Sequence, residues 1–218
     1  MYIDIHTHNS SVEEDVLKIQ NVYLSDDVLP ESYFSVGLHP WHISENKLDV
    51  TDVLNSIAKK ENLLAIGEIG LDKNIETSIS DQLVSLHEQF IISEQNELPV
   101  ILHVVKAFNE IIEFKSKWCY SQPTIIHGFN KKVELAKQLI DKGFYLSFGA
   151  SVMKEKSNSA EVLRSIDVSR IFIETDDQSE YGIKEIYGRI AEIKDIPLEE
   201  LKVQIEQNFK KVFTRYNG

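Results

Sequence analysis

Residues Leu63–Asp72 read LLAIGEIGLD, and this stretch shows most clearly how the chain folds. A short run of Leu, Ala and Ile ends on a glycine, and a carboxylate follows at once. Four other stretches repeat this order, with a histidine or an acid directly after the apolar run: Tyr2–His8 (YIDIHTH), Pro99–His103 (PVILH), Pro123–Phe129 (PTIIHGF) and Arg170–Asp176 (RIFIETD). Runs this short and this rich in Ile, Val and Leu are typical of buried parallel strands. The sequence therefore predicts parallel strands with polar side chains at their C-terminal ends.

Further apolar runs complete a set of eight strand candidates: Tyr2–His6, Ile19–Leu24, Tyr33–Leu38, Leu63–Gly67, Pro99–His103, Pro123–His127, Phe144–Phe148 and Arg170–Glu174. Apolar residues at helical spacing separate the later strands, within Ser78–Asn96, from Val133 to Ile140 and within Leu198–Phe213. This alternation predicts an α/β protein, a single (β/α)8 TIM barrel domain over residues 1–218. The segments Ser11–Lys18 and Ser25–Glu31 are too short for full helices, so the first crossovers are expected to be short or distorted.

Length and composition favour one cytoplasmic domain. The 218 residues are enough for a large core. Apolar runs all fall short of the roughly 20 residues that cross a membrane, and Met1 leads directly into a strand, so neither a membrane span nor a signal peptide is expected. Cys119 is the only cysteine and cannot form an internal disulfide, which favours a reducing compartment.

The chain is strongly acidic, with 35 Asp and Glu against 23 Lys and Arg and a formal net charge of −12. A protein that holds a DNA duplex by its phosphates needs Lys and Arg along the path of the backbone. Tight binding of duplex DNA is therefore not expected. A substrate phosphate would have to be held by metal ions and a few local groups.

The first strand places three polar residues on one face. Asp4, His6 and His8 are two positions apart, so their side chains share a face of an extended strand. His6 and His8 could bind one divalent ion there, while Asp4, one step deeper, could orient a histidine or its neighbour. The alternative is a terminal strand with two surface histidines. Ligands are favoured because polar groups on a buried face are costly unless they are paired or bind metal.

Polar residues at the ends of later strands extend this set. Glu68 lies between two glycines, and its two carboxylate oxygens could bridge two ions. Asp72 could be a second acid of the site or a cap on the next loop. His103 and His127 close consecutive strands, which favours nitrogen ligands over two unrelated structural histidines. Asp176, after the last strand, could coordinate a metal and take a proton from an attacking water, so the set predicts a metal-dependent hydrolase.

In this order the motifs resemble the TatD family of metal-dependent hydrolases and deoxyribonucleases, among the amidohydrolase-like barrels. The family's D-x-H-x-H strand corresponds to Asp4–His8, its GxHP turn to Gly37–Pro40 and its GEIGLD block to Gly67–Asp72. Its later histidines match His103 and His127, and its ETD triplet matches Glu174–Asp176. The resemblance covers nearly the whole chain.

The resemblance implies a binuclear site with one ion held by His6, His8, Glu68 and Asp176, and the other by Glu68, His103 and His127. Glu68 would bridge the ions, and Asp176 would be the general base for a metal-activated water. The cofactors would be two divalent ions. Histidine ligands favour Zn²⁺ or Mn²⁺, whereas the family's association favours Mg²⁺. The implied reaction is phosphodiester hydrolysis at single-stranded or terminal DNA ends.

The residues expected to grip phosphate depart from the family's pattern. An arginine is common two residues after the fifth-strand histidine, but this chain has Val105 there, and the adjacent Lys106 would supply only a point charge. After the ETD triplet, Asp177 and Glu180 fall in a segment where a small residue, a proline and an aromatic are expected. Both acids would repel a polyanion. His39 could contact substrate at the mouth of the site.

Three functions are compatible with these residues. The first is a TatD-type phosphodiesterase or deoxyribonuclease. The second is a hydrolase of a small ester, lactone, amide or phosphate with the same metal site, which the acidic charge and Val105 favour. The third is a non-catalytic metal-binding scaffold, which the complete ligand set disfavours. The expected partner is thus a small molecule or a nucleic-acid end, with no membrane and no identified protein partner.

Overall fold

The structure, a computed structural model, describes residues 1–26, 28–178 and 180–217. Ser179, in the segment after the ETD triplet, lies outside these ranges. Eight strands are present in the described residues: β1 Tyr2–Thr7, β2 Val16–Tyr23, β3 Phe34–Gly37, β4 Leu63–Asp72, β5 Val100–Val105, β6 Thr124–Ile126, β7 Phe144–Phe148 and β8 Ile171–Ile173. The helices are α1 Val50–Ile57, α2 Ile79–Gln95, α3 Phe108–Trp118, α4 Val133–Asp141, α5 Asn158–Ser165, α6 Ile183–Lys194 and α7 Leu198–Val212. Short 3₁₀ helices cover Pro40–His42, Ala150–Met153 and Val168–Arg170.

The chain divides into two compact units. The first comprises Met1–Gln20 and Ile126–Val212, and the second comprises Asn21–Ile125 and Phe213–Gly218. In the first unit β1 pairs in parallel with the start of β2, and β7 pairs in parallel with β8. In the second unit β4 pairs in parallel with both β3 and β5. The single domain over residues 1–218 stays a prediction.

In the first unit, β1 meets the chain that leaves β8. Thr7 and Asp176 form an isolated parallel bridge, the Asp176 N–H donates to the His6 carbonyl at 2.9 Å, and the His8 N–H donates to the Asp176 carbonyl at 3.0 Å. Tyr187 of α6 is fully buried behind β1, and its hydroxyl donates to the Ile3 carbonyl at 3.0 Å. These bonds fix the strand ends that carry polar side chains.

In the second unit, two buried glutamines of α2 hold the ends of strands. The Gln89 Oε1 accepts from the Leu38 N–H at 2.7 Å, and its Nε2 donates to the Leu38 carbonyl at 3.2 Å. Gln82 does the same for Asp72, with distances of 2.7 Å and 2.9 Å. Buried backbone N–H and C=O groups at the end of a strand need hydrogen-bond partners, and these glutamine side chains supply them. The positions of the residues after β3 and at the end of β4 are thereby set by α2.

The predicted elements are largely confirmed, but several strand bounds differ from the prediction; the second strand, for example, begins at Val16 instead of Ile19. The helix within Ser78–Asn96 begins and ends at those capping residues. The first crossover, residues 8–15, has no helix, as the short segment predicts. The prediction that the fourth strand ends at Gly67 is wrong, because β4 continues to Asp72 and all ten of its residues are buried. The prediction that the last strand begins at Arg170 is also wrong, because Arg170 ends a 3₁₀ helix that Asp167 caps.

No helix in the described ranges is long and apolar enough to cross a membrane.

Gly70→Ala should destabilise the second unit. A Cβ on Gly70 would lie 1.9 Å from the His103 carbonyl oxygen, so β4 and β5 could not keep their present separation. We expect the free energy of unfolding to fall by about 1–3 kcal/mol, as for other overpacked sites. Denaturant unfolding measures this change. Gly188→Ala is the control, since Gly188 lies in α6 with open space around its Cβ position, and it should raise stability by about 0.5–1 kcal/mol. Equal stability of Gly70→Ala and wild type would contradict the clash.

Lys115→Met should stabilise the protein in a pH-dependent way. Burial lowers the pKa of Lys115 to about 8, although Glu94 opposes the shift, and the ammonium donates to Thr124 Oγ1 at 2.9 Å. Between pH 8 and about 10.4, the ordinary pKa of lysine, the unfolded chain binds a proton that the folded chain lacks, so wild-type stability rises with pH across this window. Below pH 8 the buried charge opposes folding in full.

We therefore expect Lys115→Met to raise the free energy of unfolding by about 2 kcal/mol at pH 7, with a gain that shrinks as the pH approaches 10.4. Denaturant unfolding at several pH values provides the measurement. Lys137→Met is the matched control, because Lys137 lies exposed on α4 and its replacement should change stability little at any pH. A gain for Lys115→Met that does not depend on pH would exclude the buried charge as its cause.

Candidate metal centre

Three histidines and an aspartate converge in the first unit. His6 Nε2 lies 3.5 Å from Asp176 Oδ1, and His8 Nε2 lies 3.7 Å from the same oxygen. The ring of His127 is 4.5 Å from that of His6 between centroids. One ligand atom each from His6, His127 and Asp176 lies within 4.8 Å of the others. Ligand bonds of about 2.1 Å to one ion put neighbouring ligand atoms roughly 3–4 Å apart, so this first cluster suits one divalent ion.

Asp176 owes its position to the backbone. It adopts a left-handed conformation with φ 57°, which aspartate tolerates better than most residues. Its backbone bonds to His6 and His8 hold it against β1. The Asp176 side chain is 35% exposed whereas that of His6 is fully buried, so Asp176 is the member of the pair that a substrate or a water can reach.

Asp4 fixes the chain beneath the first cluster. Its carboxylate accepts from the Thr175 hydroxyl at 2.7 Å and from the Thr175 N–H at 3.1 Å, and it also faces the His6 N–H at 3.4 Å. Asp4 thus joins the residues that carry His6 and Asp176. Burial raises the pKa of Asp4 to about 7, with a further increase from Glu174, although the bonds to Thr175 lower it.

Glu174 lies beside His127. Glu174 is fully buried, and its Oε1 accepts from the Gly128 N–H at 2.6 Å and lies 3.5 Å from His127 Nδ1. This contact is a charge contact without hydrogen-bond geometry, so it places a carboxylate near the ring but does not assign its tautomer. The sequence predictions gave Glu174 no role. The signal available in the sequence was the position of this acid directly after a buried apolar run. Its closeness to His127 is visible only in the fold.

The second unit holds a separate cluster of His39, Glu68 and His103. Glu68 Oε1 lies 2.8 Å from His103 Nδ1 and 3.3 Å from His39 Nε2, and the two histidine rings are 4.5 Å apart. His39 is only 3% exposed and Glu68 only 6%. Burial lowers the pKa of His39 despite the opposing effect of Glu68, which favours a neutral ring. The ligand atoms lie within 4.8 Å of one another, close enough for one ion.

Asp72 supports this second cluster. Its Oδ2 lies 3.3 Å from His103 Nε2 and accepts from the Trp41 indole N–H at 2.9 Å, while its Oδ1 accepts from the Asn74 N–H at 2.8 Å. Burial alone would raise the pKa of Asp72, but the bonds from Trp41, Asn74 and His103 outweigh it and lower the pKa. Asp72 is therefore ionised at neutral pH. Asp72 thus has both of the contacts that the sequence suggested, since Oδ2 faces His103 in the second cluster and Oδ1 caps the following loop at Asn74.

The charge of these residues fits a bound cation. Asp72 and Glu174 are buried carboxylates, and among the described residues their charged contacts are with His103 and His127, not with a Lys or Arg. Among the described residues, Oε2 of Glu174 has no hydrogen-bond partner. Buried negative charge is costly unless a cation or hydrogen bonds balance it. The donor set of imidazoles and carboxylates is one that Zn²⁺ and Mn²⁺ accept.

The expected phosphate-binding residue takes no part in either cluster. Lys106 is exposed, with a left-handed backbone at φ 55°. Its ammonium makes no hydrogen bond or ion pair with any residue in the described ranges. Asp177 is also exposed. His39 faces Glu68, and its predicted contact with substrate at the mouth of the site stays a prediction.

Comparison with known proteins agrees with these features. The sequence profile of the family described as "TatD related DNase" matches residues 5–214. The chain is 28% identical over 201 residues to the uncharacterized metal-dependent hydrolase YabD of Bacillus subtilis, covering 83% of this chain and 77% of that protein. It is 31% identical over 146 residues to the 3'-5' ssDNA/RNA exonuclease TatD of Pantoea ananatis, covering 65% of this chain and 56% of that protein.

The fold is also that of a solved structure. The crystal structure of YJJV, a TatD homologue from Escherichia coli K12, superposes with a TM-score of 0.84 at 19% sequence identity and covers 98% of each chain. The prediction of a (β/α)8 barrel with helices between parallel strands is thereby confirmed.

Proposed function

Because this chain belongs to the TatD-related DNase family and is a metal-dependent hydrolase, we propose that it cleaves phosphodiester bonds at the ends of single-stranded nucleic acid. The observation that carries the proposal is the pair of histidine–carboxylate clusters, each suited to one divalent ion. The name of the Pantoea ananatis relative, an exonuclease of single-stranded DNA and RNA, supports the same substrate class.

We place one ion with His6, His8, His127 and Asp176 and another with Glu68 and His103. This differs from the set implied by the resemblance in grouping His127 with the first cluster, where its ring lies against His6. The bridging role of Glu68 stays a prediction. The divalent ions would be Zn²⁺, Mn²⁺ or Mg²⁺. They would polarise the scissile phosphoryl group and lower the pKa of the attacking water.

The residues of the chain then have distinct roles. Asp176 is the general base, since its carboxylate is the partly exposed one in the first cluster and can accept a proton from the water. Glu174 places a buried carboxylate beside the His127 ring, and Asp4 holds the backbone of His6 and Thr175. Lys106 would meet a substrate phosphate by charge alone.

The negative net charge favours the ends of single-stranded nucleic acid over long duplexes as the substrate. With a net charge of −12, long duplexes would be repelled, whereas a single terminal phosphodiester needs only local contacts. A free, exposed Cys119 is in keeping with the reducing cytoplasm, which we propose as the location.

A second candidate is hydrolysis of a small ester, lactone, amide or phosphate by the same residues. Val105 and the exposed Asp177 favour it, because neither residue would help to hold a polyanion.

Release of nucleotides from end-labelled oligonucleotides tests the proposal. Protein loaded with Mg²⁺, Mn²⁺ or Zn²⁺ should shorten single-stranded DNA or RNA from an end, cleave blunt duplex more slowly and lose activity after chelation. Hydrolysis of small phosphate esters or lactones with untouched nucleic-acid ends would establish the second candidate instead. Protein that keeps its divalent ions in elemental analysis but turns over neither substrate class would be the non-catalytic metal-binding scaffold.

A further inference from the structure

Trp41 supplies two hydrogen-bond donors to the second cluster. Its backbone N–H donates to His39 Nδ1 at 3.2 Å, and its indole N–H donates to Asp72 Oδ2 at 2.9 Å. Asp72 faces His103, and His39 and His103 both face Glu68 Oε1. The contacts therefore form a closed ring that runs from Trp41 through His39, Glu68, His103 and Asp72 back to Trp41.

The backbone donor determines where His39 carries its proton. Because His39 Nδ1 accepts from the Trp41 N–H, that nitrogen has a lone pair and no hydrogen. A neutral imidazole has one N–H, which must then be on Nε2. Nε2 lies 3.3 Å from Glu68 Oε1, so His39 donates to the carboxylate. A nitrogen that holds a proton cannot bind a metal, and His39 is therefore a donor to Glu68 despite its place among three possible ligands.

The indole donor acts on His103 through Asp72. An ionised carboxylate only accepts hydrogen bonds, so Asp72 Oδ2 takes the proton on His103 Nε2, 3.3 Å away. The other ring nitrogen, Nδ1, lies 2.8 Å from Glu68 Oε1, which is a hydrogen-bond distance; an ion bound by both atoms would take the place of the proton between them. Partners behind a metal-binding histidine commonly set its tautomer and orientation. The proton on Nε2 leaves Nδ1 as the nitrogen that His103 offers.

We propose that Trp41 is a positioning residue, whose two N–H groups make His39 a donor to Glu68 and make His103 a ligand through Nδ1. The inference rests on the proposed function only in that the second cluster holds an ion. Trp41 itself is 54% exposed, yet its indole stands edge-on to His39, with ring centroids 4.8 Å apart at 81°. Its polar edge is thus directed at the cluster while much of the ring surface lies open.

The tautomers can be read directly in the wild-type protein. Long-range ¹H–¹⁵N correlation spectra distinguish an imidazole protonated on Nε2 from one protonated on Nδ1. We expect His39 to carry its proton on Nε2 both with and without bound Zn²⁺, and His103 to keep its proton on Nε2 when Zn²⁺ is bound. A proton on Nδ1 of His39, or Zn²⁺ bound to His39, would overturn the proposal. This result does not depend on which substrate the enzyme cleaves.

Substitution of Trp41 tests the indole bond. Trp41→Phe keeps an aromatic ring and the backbone N–H but removes the donor to Asp72, and it should weaken the affinity of the second cluster for Zn²⁺ by about 10- to 100-fold. Competition with a chromogenic chelator measures this affinity without any substrate. Trp118→Phe is the matched control, because Trp118 is similarly exposed at 45% and stacks on His87. Equal Zn²⁺ affinity in Trp41→Phe and wild type would overturn the role of the indole.

Substitution of His39 separates a donor from a ligand. His39→Gln keeps an N–H donor near the position of Nε2 but removes the imidazole, whereas His39→Leu removes both. If His39 only donates to Glu68, Zn²⁺ affinity should be largely retained in His39→Gln and reduced about 10-fold or more in His39→Leu. Equal loss of Zn²⁺ in both variants would show that His39 is a ligand, against the proposal. If the wild-type protein releases no nucleotides but the variants show the Zn²⁺ affinities expected here, the proposed nuclease function alone is rejected.

Discussion

Asp176→Asn should abolish turnover while the protein keeps its divalent ions. The amide has nearly the shape of the carboxylate, and asparagine tolerates the left-handed backbone of this position, so the bonds to β1 should survive. The amide cannot accept a proton from the attacking water. Because general-base catalysis contributes about 10²–10⁴-fold, we expect a loss in kcat of that order with little change in KM. Steady-state kinetics and elemental analysis of the same preparation provide the two measurements.

Asp177→Asn is the matched control for this variant. Asp177 is the next residue in the chain and is exposed, so the same chemical change there should leave kcat within about twofold. Near-normal turnover by Asp176→Asn would remove Asp176 as the base. If metal content fell in parallel with turnover, the loss of activity would be due to the role of Asp176 as a metal ligand and not to its role as a base.

Glu68→Gln should remove an ion from the protein. Glu68 Oε1 is the meeting point of the second cluster, 2.8 Å from His103 and 3.3 Å from His39, and the residue is almost fully buried. The substitution keeps the shape and removes the negative charge that offsets the cost of a desolvated cation. We expect the divalent metal content to fall by one ion per chain and kcat to fall by at least about 100-fold, because the water would lose its activating ion.

Metal content by elemental analysis, alongside kinetics with added Mn²⁺, checks this second result. Glu110→Gln is the control, since Glu110 pairs with Lys73 near the surface, and exposed pairs contribute little. Full metal content and unchanged kinetics in Glu68→Gln would show that the second cluster is a structural arrangement of hydrogen bonds without an ion.

Much of this protein follows from the pattern of its strands. Buried parallel strands have to be apolar along their length, and a polar residue at the end of such a strand is conspicuous for that reason. This is why His6, Glu68, His103 and Asp176 could be identified before any coordinates. The family and the barrel are confirmed by comparison. Ligand assignments and substrate stay predictions, because neither depends on strand pattern alone.

The partners of those residues could not be predicted in the same way. Asp4 pairs with Thr175, which is 171 positions away, and Trp41 pairs with Asp72, 31 positions away. Periodicity reports which side of an element is buried, but it carries no information on which buried donor meets which acceptor. The extension of β4 to Asp72 could not be predicted because glycines inside a strand usually weaken it. Here the glycines permit close contact between β4 and β5.

The glutamines of α2 also bear on hydrogen exchange beside the second cluster. Gln82 and Gln89 are buried and hold both backbone groups of Asp72 and of Leu38, so those amides can exchange with solvent only when α2 detaches. Local opening of this kind requires the free energy of a whole cooperative segment. The amides of Asp72 and Leu38 should therefore exchange among the slowest in the second unit, and substitution of either glutamine should speed exchange at its partner.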